Sequence, residues 1–426
     1  MITNSQIQIA DASVLCLTAT DCGISALKKH GLGLDPGADL DAMFVQPLRG
    51  VFSTVIVYDY YKQYADVGVG KANRALLDIV ASKRPQYLVW PSMDYEILED
   101  TFQRIRQLGT IVIGWFLDDE MRFDNYSRWW APYLDHCLTN DLEAVQKYKS
   151  LGVSATHMVL GSNDEVFRRL NLPYRFDVSF VGRKFGERGK WVEALRDRGV
   201  KIHTWGNGWP GGLIPTEEMV AVFNASKINL NFVKSCGVNT RPQLKARIFE
   251  VCMSGGFLLC EYIPGIEEFF VPDKEIVCFQ EFEELEAKIR YYLKQEDRRR
   301  AIARAGWDRA HHDYTSVSRL RRAFAEIQGR VNAGNHRVVT RTMQAVMPGS
   351  VRSRPSSYHL GWAKGLMKEA YPIERVHEEI NLALHYDPGN VAARRLRVLA
   401  RMPVALLSSV VQLNSWWRIL KGWRSL

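Results

Sequence analysis

Short β-branched or aromatic runs alternate with helix-spaced segments, and this alternation limits the fold more than any single motif. VLCLT (14–18), TVIVYD (54–59), QYLVW (86–90) and TIVIGWFLDD (110–119) read as strands. KANRALLDIVASK (71–83) and DYEILEDTFQRIRQLG (94–109) have helical spacing, and the second closes on Gly109 as its C-cap. HCLTND (136–141) then leads into EAVQKYKSLG (143–152). Strands separated by helices of this length predict a parallel α/β sheet.

A second series starts near Asp177. DVSFVG (177–182), VKIHTWG (200–206), KINLNF (227–232), FLLCEY (257–262) and EIVCF (275–279) read as strands. RGKWVEALRDRG (188–199), TEEMVAVFNAS (216–226, capped by Thr216) and QLKARIFEVCMSGG fall between them as helices, and a long helical run covers 281–328. The boundary between the series is placed at 161–176, GSNDEVFRRLNLPYRF. The expected division is 1–165, 166–330, and a basic linker with a helical tail over 331–426. Ligands of parallel α/β sheets sit at the C-terminal strand ends, so the expected site is the cleft between the two units.

A length of 426 residues suits two or three domains, and 46% hydrophobic with 24% charged residues suits a soluble globular chain. Seven cysteines without a C-x-x-C pair argue against a disulfide framework or a zinc site, and for a reducing compartment. No basic leader and no run of eighteen apolar residues stands in the sequence, so the expected location is the cytoplasm. The net charge of +9 belongs to residues 331–426, which hold 14 Lys+Arg against 5 Asp+Glu. The neutral body therefore gives no sign of a nucleic-acid partner.

Within that tail, IERVHEEINLALHYDPGNVAARRLRVLA (373–400) reads as one helix–turn–helix unit. One such unit cannot bury its own face, so it is expected to pack back on the body. The closing SWWRILKGWRSL puts Leu413, Trp416, Trp417, Leu420 and Trp423 on one helical face. That face suits either a helix docked on the protein or peripheral contact with the inner face of an anionic membrane.

Several motifs fail. A P-loop is excluded because Ala65 and Ala72 stand at required positions around Gly70-Lys71, and GVGKAN (68–73) lacks the third glycine of a dinucleotide fingerprint. Asp39-Leu40-Asp41 is a D-x-D, but in a Gly/Pro-rich loop rather than at a strand end. No G-x-S-x-G elbow is present. His203 falls in a buried strand pattern, and His311 and His312 at a polar helix end.

The stretch NTRPQLKARIFEVCMSGG (239–256) carries chemistry. Pro242 suits the first turn of a helix capped by Thr240 or Asn239. Leu244, Ile248 and Val251 then share one face, with Gln243, Arg247, Glu250 and Ser254 on the adjoining one. Arg247 and Glu250 are either an intrahelical pair, worth only about 0.2–0.5 kcal/mol, or a guanidinium for phosphate beside a carboxylate for sugar hydroxyls.

From about 110 to 325 the chain resembles the CgeB-like (spore maturation) glycosyltransferases of the GT-B class. RIFEVCMSGGFLLCEYIPGIEEFF (247–270) resembles that family's Arg-x-Phe-Glu run, small residues and glycine, apolar strand and acidic aromatic segment. EIVCFQEFEELEAKIRYYLKQEDRRRAIARAGWDRAHHDYT, FDVSFVGRKFGERGKWVEAL, WGNGWP and WFLDDEMRF match its other elements in order. The resemblance implies an α/β GT-B fold: two tandem Rossmann-like domains facing a cleft, the donor on the second and the acceptor on the first. It implies a hexosyltransferase-type enzyme using a UDP- or GDP-type nucleotide sugar, with no obligatory metal. The acceptor is left open as a glycan such as a cell-surface polysaccharide, a protein or a small molecule.

Carried over, Glu250 binds the ribose hydroxyls, and Arg247 with Arg183 or Lys184 holds the diphosphate. Gly182, Gly206, Asn207 and Gly208 bring backbone to the ligand. Trp209, with Trp205 across GNG, either stacks on a base or sugar or belongs to the core. Asp118 and Asp119 end a strand and are the candidate general base; the other reading is a capping role, and Glu120 extends the acidic cluster. A glutamate common in the wider class eight residues before Glu250 is replaced by Pro242, which puts the donor-sugar contact in question. The rival readings are a non-catalytic nucleotide- or sugar-binding module and a nicotinamide oxidoreductase; the missing G-x-G-x-x-G speaks against the second.

Overall fold

Strands β1 (Ser13–Thr18), β2 (Thr54–Asp59), β3 (Tyr87–Pro91), β4 (Ile111–Phe116), β5 (His136–Thr139) and β6 (Ser154–His157) pair in parallel in the order β2-β1-β3-β4-β5-β6. This computed structural model describes residues 12–20, 25, 40–92, 95–233, 242, 244–331, 347–368 and 371–401. Val14 of β1 lies opposite Val55 on one side and Tyr87 on the other. Val14 to Leu17 are fully buried, as expected of a strand covered on both faces. Helices α1 (Tyr60–Val67), α2 (Val69–Lys83), α3 (Glu99–Gln107) and α4 (Leu142–Ser150) supply the cover. Strand β6 and helix α1 escape the sequence reading: SATH is short and mostly polar, and YYKQYADV buries tyrosines rather than an aliphatic stripe.

The second sheet holds β7 (Phe176–Val181), β8 (Ile202–Trp205), β9 (Ser226–Asn231), β10 (Leu258–Glu261) and β11 (Val277–Phe279), in the order β11-β10-β9-β7-β8. Its crossovers include α5 (Glu187–Asp197), α6 (Thr216–Asn224) and α7 (Ala246–Met253), and an apolar cluster fills each face. The architecture is thus two parallel Rossmann-like sheets, as the alternation predicts.

The helical run expected over 281–328 is three helices: α8 (Phe282–Leu293), α9 (Glu296–Asp313) and α10 (Ser316–Val331). The last break matters because α10 leaves the second sheet for the first. Leu320, Ala323, Phe324 and Ile327 join the first core, and the Phe324 ring stands edge-on to Phe52 at 4.7 Å and Tyr87 at 5.3 Å. The two chain crossings touch: Ser162 N donates to Tyr314 O (2.9 Å), and Ser316 N to Ser162 O (2.9 Å). Gly161 has φ +70°, and a Cβ there would sit 2.5 Å from Tyr314 O, so glycine is what lets the crossings meet.

Helices α11 (Gly349–Lys368), α12 (Ile373–Tyr386) and α13 (Val391–Leu399) pack back on the first domain. Arg375 donates to Tyr64 O (2.8 Å), Ala65 O (2.6 Å) and Asp66 O (3.2 Å), the electronegative end of α1. Glu378 accepts from Gly70 N (2.9 Å) at the electropositive start of α2. The GVGK stretch is therefore a helix start that takes an anion, and the anion is the chain's own carboxylate. Asp39 of the D-x-D motif and the whole SWWRILKGWRSL segment lie outside the described residues. Among the described residues, no helix is long and apolar enough to cross a membrane.

Candidate active-site cleft

The C-terminal ends of β4, β7, β8 and β9 open on a cleft with two lobes. One, of about 310 Å³, runs from Asn163 and Phe167 to Asn207, Leu213 and Thr216. The other, of about 460 Å³, gathers Asp118, Arg188, Asn231 and Lys245. Gly182, Arg183, Arg247 and Glu250 line both, so they mark the junction.

Backbone pairing builds that junction. Gly182 N donates to Trp205 O (2.9 Å) and Lys184 N to Asn207 O (2.8 Å), which zips the loops after β7 and β8 together. Gly206 holds φ +118°, and a Cβ there would overlap the Gly182 carbonyl. Trp209 braces the same loop from beneath: its indole N–H donates to Gly182 O (2.8 Å) and its ring stands edge-on to Phe180. At 5% exposure it packs in the core, the second of the two places expected for it. Lys184 pairs with Glu193 (2.9 Å) and lies over the Trp209 ring; neither it nor Gly208 lines a lobe.

Helix α7 starts at Ala246, not at Pro242, because Lys245 is extended (φ −80°, ψ 143°). The first N–H groups of a helix have no intrahelical acceptor, and Lys245 and Ala246 both line the cleft, so this end favours an anion. Directly after Ala246, Arg247 donates to Glu250 at 2.5 Å; the side chains are 25% and 14% exposed. Arg247 also touches the Met219 sulfur and lies 5.4 Å over the Phe223 ring. The intrahelical pair thus exists, and it faces the cleft. A guanidinium has five N–H donors, so pairing with one carboxylate does not exhaust it.

Two cations were missed in the sequence. Arg188, at the start of α5, donates to Arg183 O (3.1 Å) and Phe232 O (3.1 Å) and lies 3.9 Å over Phe185. Lys245 lines the same lobe. Their signal was available: each begins a helix that follows a strand of the second series.

The acidic pair at the end of β4 is split. Asp118 lines the cleft, whereas Asp119 is 1% exposed and accepts from the Tyr148 hydroxyl (2.8 Å). Burial pushes the Asp119 carboxyl up to about 6. Asp119 opens a short helix, Asp119–Arg122, whose turn sends adjacent side chains about 100° apart. Burial and then the Asp118 charge push Glu120 up to about 7, in a neighbouring pocket that also holds Asp141, His157 and Pro242. His203 is exposed on edge strand β8, its ring 4.9 Å from Phe176, and not buried as its pattern suggested. His311 bonds to Trp307 O and His312 is exposed, as a polar helix end predicts.

Residues 183–325 match the family described as glycosyl transferase-like. No curated protein matches the sequence. Among solved structures, sucrose-phosphate synthase from Thermosynechococcus elongatus is similar at TM-score 0.52 and 9% identity, covering 76% of this chain and 100% of that one. Anabaena HepE in complex with UDP and glucose aligns at 0.50 and 11%, covering 75% and 100%. An α-glucosyltransferase in complex with UDP and a 13-mer DNA aligns at 0.52 and 10%, also covering 75% and 100%. At these identities the likeness speaks for the fold. The chain has the GT-B fold, with a glycosyl transferase-like domain at residues 183–325.

Proposed function

We propose that the chain is a hexosyltransferase-type glycosyltransferase that moves a sugar from a UDP- or GDP-type donor to an acceptor hydroxyl. The observation that carries this reading is the junction itself: Arg183, Arg188, Lys245, Arg247 and the start of α7 line one lobe together with Glu250 and Asp118. In this reading Glu250 accepts from the ribose hydroxyls, and the cations hold the diphosphate. The acceptor oxygen attacks the anomeric carbon as the bond from that carbon to phosphate breaks. The electron pair leaves on the phosphate oxygen, where the guanidinium groups and helix N–H groups meet the developing charge. The acceptor proton passes to Asp118. Cations already in place do the work a divalent metal does elsewhere, so no obligatory metal is proposed. The CgeB-like class, with a glycan of the cell surface as acceptor, is the narrower form of the same reading.

Calorimetric titration with UDP, GDP, ADP and NAD, with and without magnesium, tests it. We expect UDP or GDP to bind without magnesium, and Glu250→Ala to weaken that binding about 10–100-fold, the loss of about 1.5–3 kcal/mol typical of hydrogen bonds to a charged group. An unaltered Kd in that variant removes Glu250 from the donor site. NAD binding alone favours an oxidoreductase. A second reading, a binding module without transfer, is favoured by Pro242 standing where the wider class carries a donor-sugar glutamate. Asp118→Asn separates the two: it should lower turnover by about 10²–10⁴-fold with donor Kd unchanged. Equal turnover in wild type and variant rejects Asp118 as base.

A further inference from the structure

We propose that Ser162, on the chain crossing between the two domains, reads the base of the donor, and that this base is uracil rather than guanine. The inference rests on the reading of the cleft as a donor site. A nucleoside diphosphate runs in one order: base, ribose, diphosphate. Arg188 and Lys245 line the larger lobe and not the smaller, so the diphosphate sits in the larger. Glu250, at the junction, takes the ribose. The base then has one direction left, into the lobe of about 310 Å³. Met43, Phe167, Val181, Ile214 and Met219 give that lobe apolar walls, which suit the faces of a planar ring.

Ser162 supplies a polar group for the edge of that ring. Its backbone is spent on the crossing, through the bonds to Tyr314 and Ser316. Its side chain lines the lobe at 3% exposure, and its Oγ has no hydrogen-bond partner among the described residues. Buried hydroxyls are ordinarily paired, so this one is left for a ligand. The amide of Asn163, next in the chain, is already committed: Nδ2 donates to Ala42 O (3.1 Å) and Gln46 Oε1 (3.0 Å), and Oδ1 accepts from Glu165 N (3.1 Å). A hydroxyl can donate to a uracil carbonyl or accept from the N–H between the two carbonyls. Guanine turns two adjacent donors, N1–H and the 2-amino group, to the same edge. One carboxylate meets both. Among the described residues, Glu250 is the only carboxylate lining this lobe, and it is paired with Arg247. Guanine buried there keeps a donor unpaired, which costs affinity.

Calorimetric titration of the full chain, wild type and Ser162→Ala, with UDP, GDP and pyrophosphate tests this. Wild type should bind UDP at least about tenfold more tightly than GDP. Ser162→Ala should weaken UDP about 5–50-fold, the range for losing one buried hydrogen bond. Pyrophosphate, which needs only the larger lobe, should bind both proteins equally. Alanine keeps the backbone bonds of the crossing, so the thermal melt should match wild type. The inference is overturned by GDP binding wild type as tightly as UDP, by an unaltered UDP Kd in the variant, or by equal losses of UDP and pyrophosphate. In each of those outcomes a nucleoside diphosphate still binds wild type, and the donor-site reading stands. Binding of neither UDP nor GDP removes both.

Discussion

Replacing Arg247 with Met should lower transfer by about 10²–10³-fold and barely change the melting temperature. The two halves of that expectation come from different magnitudes. An i,i+3 ion pair on a helix contributes about 0.2–0.5 kcal/mol to stability, and this one is partly exposed. A preorganised donor aimed at charge developing in a transition state is worth about 2.7–4 kcal/mol. If Arg247 serves only the helix, transfer holds and stability falls slightly. If it serves the leaving diphosphate, transfer collapses and stability holds. Arg247→Lys refines the test, since it keeps the charge and loses the planar fork. It should recover part of the rate, with kcat/KM measured against the donor that titration identifies. A variant that transfers at the wild-type rate would return Arg247 to a structural role.

Replacing Glu379 with Ala should cost about 3–5 kcal/mol of stability, far from the cleft, because it breaks a buried polar cluster. Glu379 accepts from the Tyr64 hydroxyl at 2.9 Å and lies 3.0 Å from His359 Nδ1, while Tyr64 and His359 are 3.2 Å apart. All three are at most 1% exposed, so water cannot replace a lost partner. The cluster ties α11 and α12 to α1, with Trp362 packed 4.5 Å from the Tyr64 ring. Urea denaturation should show the loss, and Glu379→Gln, which keeps an acceptor oxygen, should cost less. Burial holds the Glu379 carboxyl above its ordinary value. The native chain therefore keeps a proton there that the unfolded chain releases. That contribution is complete below the ordinary carboxyl range, at about pH 4.3. It is lost as pH rises through the native value. A Glu379→Ala chain that unfolds at the wild-type urea concentration would show that the helical extension is held by its apolar contacts alone.

The strand–helix alternation was readable because it is a local property. Each run of β-branched residues and each helical stripe repeats within a few residues, and all nine segments read as strands correspond to observed strands. Arg247 and Glu250 were readable for the same reason: three residues apart on a helix, they share a face whatever surrounds them. Boundaries at functional turns were less so. Helix α7 begins four residues after Pro242, since its start depends on the extended Lys245 and not on the proline's own preference.

Other features depended on residues distant in sequence. Whether Trp209 faces a ligand or the core rests on the Gly182 carbonyl, 27 residues away. The glycines at 68 and 70 looked like a failed phosphate loop until Glu378, 308 residues on, proved to be the anion at that helix start. Asp118 and Asp119 are adjacent, yet one lines the cleft and the other answers to Tyr148 on the next helix. By itself the sequence determined the two parallel sheets and the Arg–Glu pair, because backbone periodicity and helix geometry act over single turns. The tertiary structure alone decided which cations join that pair and which aspartate meets them, because burial and charge convergence are set by strand order and by the crossing at Ser162 and Ser316.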